Sequence, residues 1–256
     1  MPQFFLPPES RRDDAFRLEG PEAFHVSKVL RCREGETIEL FDGKGGRYAG
    51  KITRLSQDGS VEGVLTATLE TAKPARPARL NLYQGLMKAS RWEWILEKGT
   101  ELGVSSFIPV TTARTVVLLR EAERIQAKGD RWRKIVLAAA KQCRRADLPA
   151  VQPSVALRDA LKASEGEGLT LFAWEKMIGS SARETLRGFL SSEKHRAPQT
   201  LIVNLFIGPE GGFSEEEVEM AKFHGAHLFA LGSCTLRGET AAIASAALIL
   251  YELGIL

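Results

Sequence analysis

Cysteine is scarce in this chain, aromatic side chains make up only 7% of it, and neither sign of charge dominates. Cys32, Cys143 and Cys234 are too few and too far apart for a disulfide framework, and no CxxC pair offers zinc its usual spacing. With four histidines in 256 residues, metal ligation has little to draw on. His224 and His227 stand three apart across Gly225 with no third ligand near in sequence, so no metal is expected. Long apolar runs are missing too. The opening MPQFFLPPESRRDD has no signal-type apolar stretch, and AAIASAALIL falls short of the roughly 20 residues a span needs. The expectation is a cytoplasmic protein with no membrane contact. Thirty-five Lys and Arg against 32 Asp and Glu leave a formal charge of +3, so nucleic-acid affinity would depend on where cations sit rather than on their total.

What is present is a change of grammar along the chain. From Phe24 to about Leu69, short runs rich in Ile, Val, Thr and Tyr alternate with the hairpin dipeptides Asp42-Gly43 and Asp58-Gly59, which predicts a small β-barrel. TAKPARPAR (Thr71 to Arg79) resists helix and central strand alike and reads as a linker. Beyond it, strands alternate with helices: ARLNLYQGL, then WEWILEKGTEL closed by Gly103, then SSFIPV, then a long helix from about Glu121 to Arg145 interrupted by Gly129. A short helix near Leu157, the strand GLTLFAW and a helix from about Ser181 to Ser191 come next. This alternation implies a mostly parallel sheet covered by helices on both faces. The expected division is residues 1–72 as barrel, 73–79 as linker and 80–256 as the α/β domain.

The last third carries two strand-loop-helix units, LIVNLFI opening into GPEGGFSEEE and HLFAL opening into GSCTLRGETAA. Adjacent parallel strands would bring both loops to one pocket beyond their carboxyl ends. Ser214 and Glu217 have capping-box spacing, which fixes a helix start. Glu210 within the loop, and three carboxylates just after it, oppose a pyrophosphate ligand and suit one bearing hydroxyls, an adenine edge or a positive charge. S-adenosylmethionine has all three. A plain tight turn before a capped helix explains the loop equally well. The run from Glu239 to Leu253 is apolar nearly all round and is expected to be buried. Arg237, Glu239 and Thr240 at its mouth face a ligand or a second subunit, unless Arg237 and Glu239 merely form a capping pair.

GPEGG followed by LGxxxLRxETAA resembles the bacterial 16S rRNA uridine-N3 methyltransferases of the RsmE type, members of the knotted SPOUT superfamily. GLMKASRWEWILEKGTELGV, RWRKIVLAAAKQCRRADLP and HVSKVLRCREGETIELFDGKGGRY resemble further blocks of that family, so the likeness spans nearly the whole chain. Cys234 stands where an Arg is usual, Gly238 where a Thr is usual, Ala89-Ser90 for Gly-Asp and Arg144 for Gly. The resemblance implies a knotted SPOUT-type parallel α/β domain behind a PUA-like RNA-binding barrel, S-adenosylmethionine as cofactor, and a homodimer formed through the Glu239–Leu253 helix. It also implies N3-methylation of a uridine in 16S rRNA on the 30S subunit, the alternative being a non-catalytic assembly factor on the same fold. Cofactor contacts are then expected from Trp174, Glu175, Ile207, Gly208, Pro209, Glu210, Gly211, Gly212, Leu231, Gly232, Ser233, Leu236, Glu239 and Thr240.

Removing the N3 proton of uracil leaves an anion, and Arg237 is the expected catalytic cation that steadies it. Glu210 and Glu239 are candidate bases. RNA contacts are expected from Arg12, Arg31, Arg33, Lys88, Arg91 and Arg145. Arg131, Lys134, Lys141 and Arg145 share one helical face, which either tracks phosphates or is simply solvated. Trp92 and Trp94, two apart on a helix, cannot share a face.

Overall fold

The structure is a computed structural model that describes residues 3–69, 78–115, 122–177, 182–191, 200–232 and 234–256. Two compact units divide the chain, Met1–Ala72 with Leu137–Leu148, and Lys73–Val136 with Pro149–Leu256. Most of the expected linker, and Ser233, lie outside the described residues.

In the first unit the strands are β1 (Gln3–Phe5), β2 (Arg11–Arg12), β3 (Ala15–Leu18), β4 (Thr37–Phe41), β5 (Arg47–Leu55) and β6 (Val61–Leu69), with helix α1 (Gly20–Phe24) between β3 and β4. They form one sheet in the order β1-β4-β5-β6-β3-β2. Both Asp-Gly signals mark real hairpins. Asp42 Oδ1 accepts from the amides of Lys44 (2.7 Å) and Gly46 (2.9 Å), tightening the β4–β5 turn. Phe4, Phe16, Leu18, Leu40, Ile52 and Val61 form the core under α1. The segment Leu137–Leu148 belongs to this unit, tied in by Gln3, whose side-chain amide donates to the carbonyls of Ala140 and Arg145.

The second unit runs β7 (Ala78–Gly85), α2 (Ala89–Leu102), β8 (Ser106–Thr111), α3 (Ala122–Cys143), β9 (Ala150–Val151), β10 (Val155–Ala156), α4 (Leu157–Ser164), β11 (Leu169–Ala173), α5 (Ala182–Ser191), β12 (Leu201–Ile207), α6 (Glu215–Phe223), β13 (His227–Phe229) and α7 (Gly238–Glu252). The sheet order is β10-β8-β7-β12-β11-β13 with β9 beside β8, and every pairing is parallel. The expected α/β class is what the structure shows. Along β12, Leu201, Val203, Leu205 and Ile207 join one core with residues of α2 and α7, while Phe206 joins the opposite one with residues of α4 and α6.

Two local expectations need correction. Helix α3 continues through Gly129, because a single glycine lowers helix stability by only about 1 kcal/mol and burial of Trp132 and Val136 outweighs it. Helix α7 is apolar all round but buried on one side only: Leu248 and Tyr251 are 57% and 67% exposed. Trp92 is buried edge-on against Trp132 whereas Trp94 is 41% exposed, as their spacing requires.

Candidate active site

Because β12, β11 and β13 are adjacent and parallel, their carboxyl ends open on the same side, and the loops after them enclose a cavity of about 350 Å3. Trp174 and Glu175 come from the β11 end, Ile207, Gly208, Pro209, Glu210, Gly211 and Gly212 from the β12 end, and Leu231, Gly232, Leu236 and Arg237 from the β13 end. These are the residues expected to hold the cofactor, with Arg237 among them. Glu239 and Thr240 lie in the first turn of α7 and are not part of the lining. Cys234 and Gly238 are lining residues as well.

The GPEGG loop is gripped from three sides. Gln84, wholly buried at the end of β7, donates its side-chain amide to the carbonyls of Gly208 (2.9 Å) and Gly85 (3.1 Å). Gly85 must lack a side chain, since a Cβ there would fall 2.4 Å from Pro209 N. From α6, Glu217 accepts from the Ala113 amide (2.7 Å) with one oxygen and from the Ser214 amide (2.8 Å) with the other. Ser214 completes the capping box. Arg114 donates to Gly211 O at 2.8 Å, so the loop after β8 also braces the pocket. Sequence reading missed Gln84, Ala113 and Arg114, whose partners lie about a hundred residues away.

Charge at the pocket mouth is ordered. Arg91 Nη1 lies 3.1 Å from Glu210 Oε1, and its Nε lies 3.7 Å from Glu239 Oε1. The Glu210 carboxylate also accepts from the Lys88 amide at 3.3 Å. Beyond the loop, a hydrogen bond from Lys176 holds the Glu215 carboxyl below its ordinary pKa, and one from Ser214 does the same for Glu216. Those two carboxylates therefore stay ionised near neutrality, while Arg91 offsets the acidic group inside the loop. A pocket so furnished presents backbone groups and carboxylates to a ligand, not a phosphate cradle.

Two family profiles match, an RNA methyltransferase domain over residues 74–250 and an RNA methyltransferase PUA domain over residues 18–66. The chain is 30% identical to ribosomal RNA small subunit methyltransferase E of Bacillus subtilis, over 93% of this chain and 90% of that protein. It belongs to the RNA methyltransferase family. Among solved structures, that of ribosomal RNA small subunit methyltransferase E from Neisseria gonorrhoeae bound to S-adenosyl methionine superposes with a TM-score of 0.80 at 30% identity, covering 98% of each chain. A putative methyltransferase from Legionella pneumophila in complex with the cofactor SAM gives 0.79 at 29% identity, covering 98% of this chain and 97% of that one.

In this methyltransferase the unusual Gly238 has a structural explanation. A Cβ at that position would lie 2.8 Å from Met87 Cε and 3.2 Å from Gly208 O, so Met87 fills the space a side chain would need and the pocket wall remains closed. Of the cations expected to meet RNA, Arg12, Arg31 and Arg33 are exposed in the first unit, while Lys88 and Arg91 sit beside Glu210 in the second. The helical stripe is mostly matched internally. Arg131 pairs with Glu93 (2.7 Å), Lys141 with Glu22 (2.7 Å) and Arg145 with Asp147 (2.7 Å), so these three cations are matched by carboxylates, which neither expectation for the stripe included. Burial raises the Asp147 carboxyl, but the Arg145 hydrogen bond and charge outweigh it and leave it below its ordinary pKa. His224 Nδ1 stands 2.9 Å from a Glu165 carboxylate oxygen, in the turn that precedes β13 and not in the pocket loop that follows it.

Proposed function

We propose that this protein transfers a methyl group from S-adenosylmethionine to N3 of a uridine in 16S rRNA, acting on the assembled small ribosomal subunit in the cytoplasm. The observation that carries the reading is a cavity closed by three strand-end loops with Arg237 on its wall. Its residues fit the cofactor. About 350 Å3 lies within the ordinary range for small-molecule sites, glycine backbone at positions 208, 211 and 212 admits close approach, and the lining carboxylates Glu175 and Glu210 complement a cationic ligand. Glu239 Oε2 is buried with no hydrogen-bond partner among the described residues, leaving an acceptor for a donor group nearby.

When bound, the cofactor supplies an electrophilic methyl carbon on a sulfonium. The N3 proton of uracil must pass to a base or to water, and the Arg237 guanidinium would stabilise the resulting negative charge, which spreads to the carbonyl oxygens O2 and O4. Residues 1–72, joined by Leu137–Leu148, form the RNA-holding part, and the rest of residues 80–256 the methyl-transferring part. Exposed Leu248 and Tyr251 on α7 support a homodimer packed through that helix. A knotted path agrees with the chain's route, since it leaves edge strand β13 and returns to begin α7 beside Gly208 O and Met87.

Isothermal titration should show S-adenosylmethionine binding and no NAD binding, and mass mapping of rRNA from cells with and without the protein should differ at one uridine. A modification map unchanged by loss of the protein would favour the assembly-factor reading. Reversing Arg31 and Arg33 to Glu should weaken RNA binding by about tenfold or more and reduce the slope of log affinity against log salt by about 2, because two phosphate contacts vanish. Cofactor affinity, measured on the same double variant, should not change.

A further inference from the structure

We infer that the first unit holds RNA by stacking an unpaired base on Phe24, at a patch built by the helical turn His25–Val29. This inference rests on the reading of that unit as the RNA-holding part. Phe4, Phe16 and Phe41 are each 3% exposed or less, yet Phe24 is 61% exposed, with Val29 at 57% and Leu30 at 41% close behind it. The exposure has a backbone cause. After α1 the chain widens into a π turn, Leu30 N donating to His25 O at 2.9 Å and Cys32 N to Val26 O at 3.0 Å. Ala23 and Val26 stay fully buried, while the wider turn sets Val29 one π turn from Phe24 on the outer side. Arg31 comes next but one with φ of 55°, a left-handed conformation unusual for a side chain of that size.

Charge says what the patch fits. Lys28, Arg31 and Arg33 surround it in sequence, are exposed, and form no ion pair among the described residues, whereas Arg17 and Arg47 of the same unit are matched by Glu19, Asp58, Glu62 and Glu39. Of the neighbouring acids, Glu34 is directed elsewhere, accepting from the Leu55 amide. An apolar ring bordered by unmatched cations suits a base face with its phosphates, and base faces are available only where RNA is unpaired. A duplex would offer phosphates to the cations and nothing to Phe24.

Fluorescence anisotropy of the full chain with a labelled oligouridylate and with a blunt RNA duplex separates these contributions. Phe24→Ala should weaken oligouridylate binding about tenfold and leave duplex binding unchanged, and Phe24→Trp should restore it. Leu30→Ala, read the same way, checks the patch should Phe24→Ala fold poorly. Equal loss on both RNAs, no loss on either, or a change in self-association measured by sedimentation would overturn the inference. Cofactor titration on the same variants keeps the outcomes distinct: wild-type protein that fails to bind S-adenosylmethionine defeats the proposed function, while the two-RNA comparison still decides the patch.

Discussion

Replacing Arg237 by alanine is expected to slow methyl transfer by about 10²- to 10³-fold while changing S-adenosylmethionine affinity by no more than a few-fold, the effect of removing one preorganised donor from a developing oxyanion. Its place in the fold argues for chemistry over stability. Arg237 is the N-cap residue of α7, where its backbone carbonyl accepts from Ala241 at 2.8 Å and its side chain makes no capping bond. A cation at the positive end of a helix opposes the macrodipole, so helix stability alone would disfavour it. No ion pair holds it among the described residues, and its loss would strand no carboxylate, so unfolding free energy should move by less than about 0.5 kcal/mol. Arg237→Lys keeps the charge but loses the planar fork and should fall between the two. Single-turnover transfer of labelled methyl, set against calorimetric cofactor binding, reads the split. Parallel loss in both would mean that Arg237 only holds the cofactor.

How far the site could be read from sequence depends on the range of the interactions. The two strand-loop-helix units are local, so apolar runs, glycines and the Ser214–Glu217 spacing announce them, and the loops do meet at one cavity. Gln84 is different. Its role exists only because β12 is inserted beside β7 and places Ile207 opposite it, a pairing that no local pattern encodes. Arg114 is equally silent until the loop after β8 meets Gly211. Arg91 reads as a loose cation at a loop mouth, yet it stands between Glu210 of the GPEGG loop and Glu239 of the first turn of α7. Periodicity puts Arg131, Lys141 and Arg145 on one helical face, but α3 ends at Cys143 and Arg144 turns left-handed, so Arg145 lies beyond the helix, and no local pattern could supply Glu93, Glu22 and Asp147. The exposed turn at Phe24 escaped for another reason: the sequence from Phe24 onward reads as strand, whereas the chain ends α1 there and continues in a π turn to Val29.

Glu217→Ala should lower stability by about 3–5 kcal/mol, the largest loss expected from a single side chain near the pocket. Glu217 is only 7% exposed and makes three connections at once, two of them through its carboxylate. Its oxygens satisfy the Ala113 and Ser214 amides, and its own amide donates to Ser214 Oγ at 3.3 Å. Truncation strands two N–H groups at about 1–3 kcal/mol each, that of Ser214 being the half of the capping box which the Glu217 side chain supplies. Water entering the gap would return part of that, which sets the lower bound. Glu217→Gln keeps the shape but presents a donor to one of the two amides, so it should lose an intermediate amount. Urea unfolding measures both, and a midpoint shift at constant m identifies a loss of native stability. Hydrogen exchange locates it, with protection expected to fall first at Ala113 and Ser214. Because Glu217 joins the loop after β8 to the loop after β12, the Arg114 bond to Gly211 O should loosen with it and cofactor affinity should weaken more than tenfold. A loss below about 1 kcal/mol with protection retained would show that the GPEGG loop stands without this brace, leaving Gln84 and Gly85 to fix it from the β7 side.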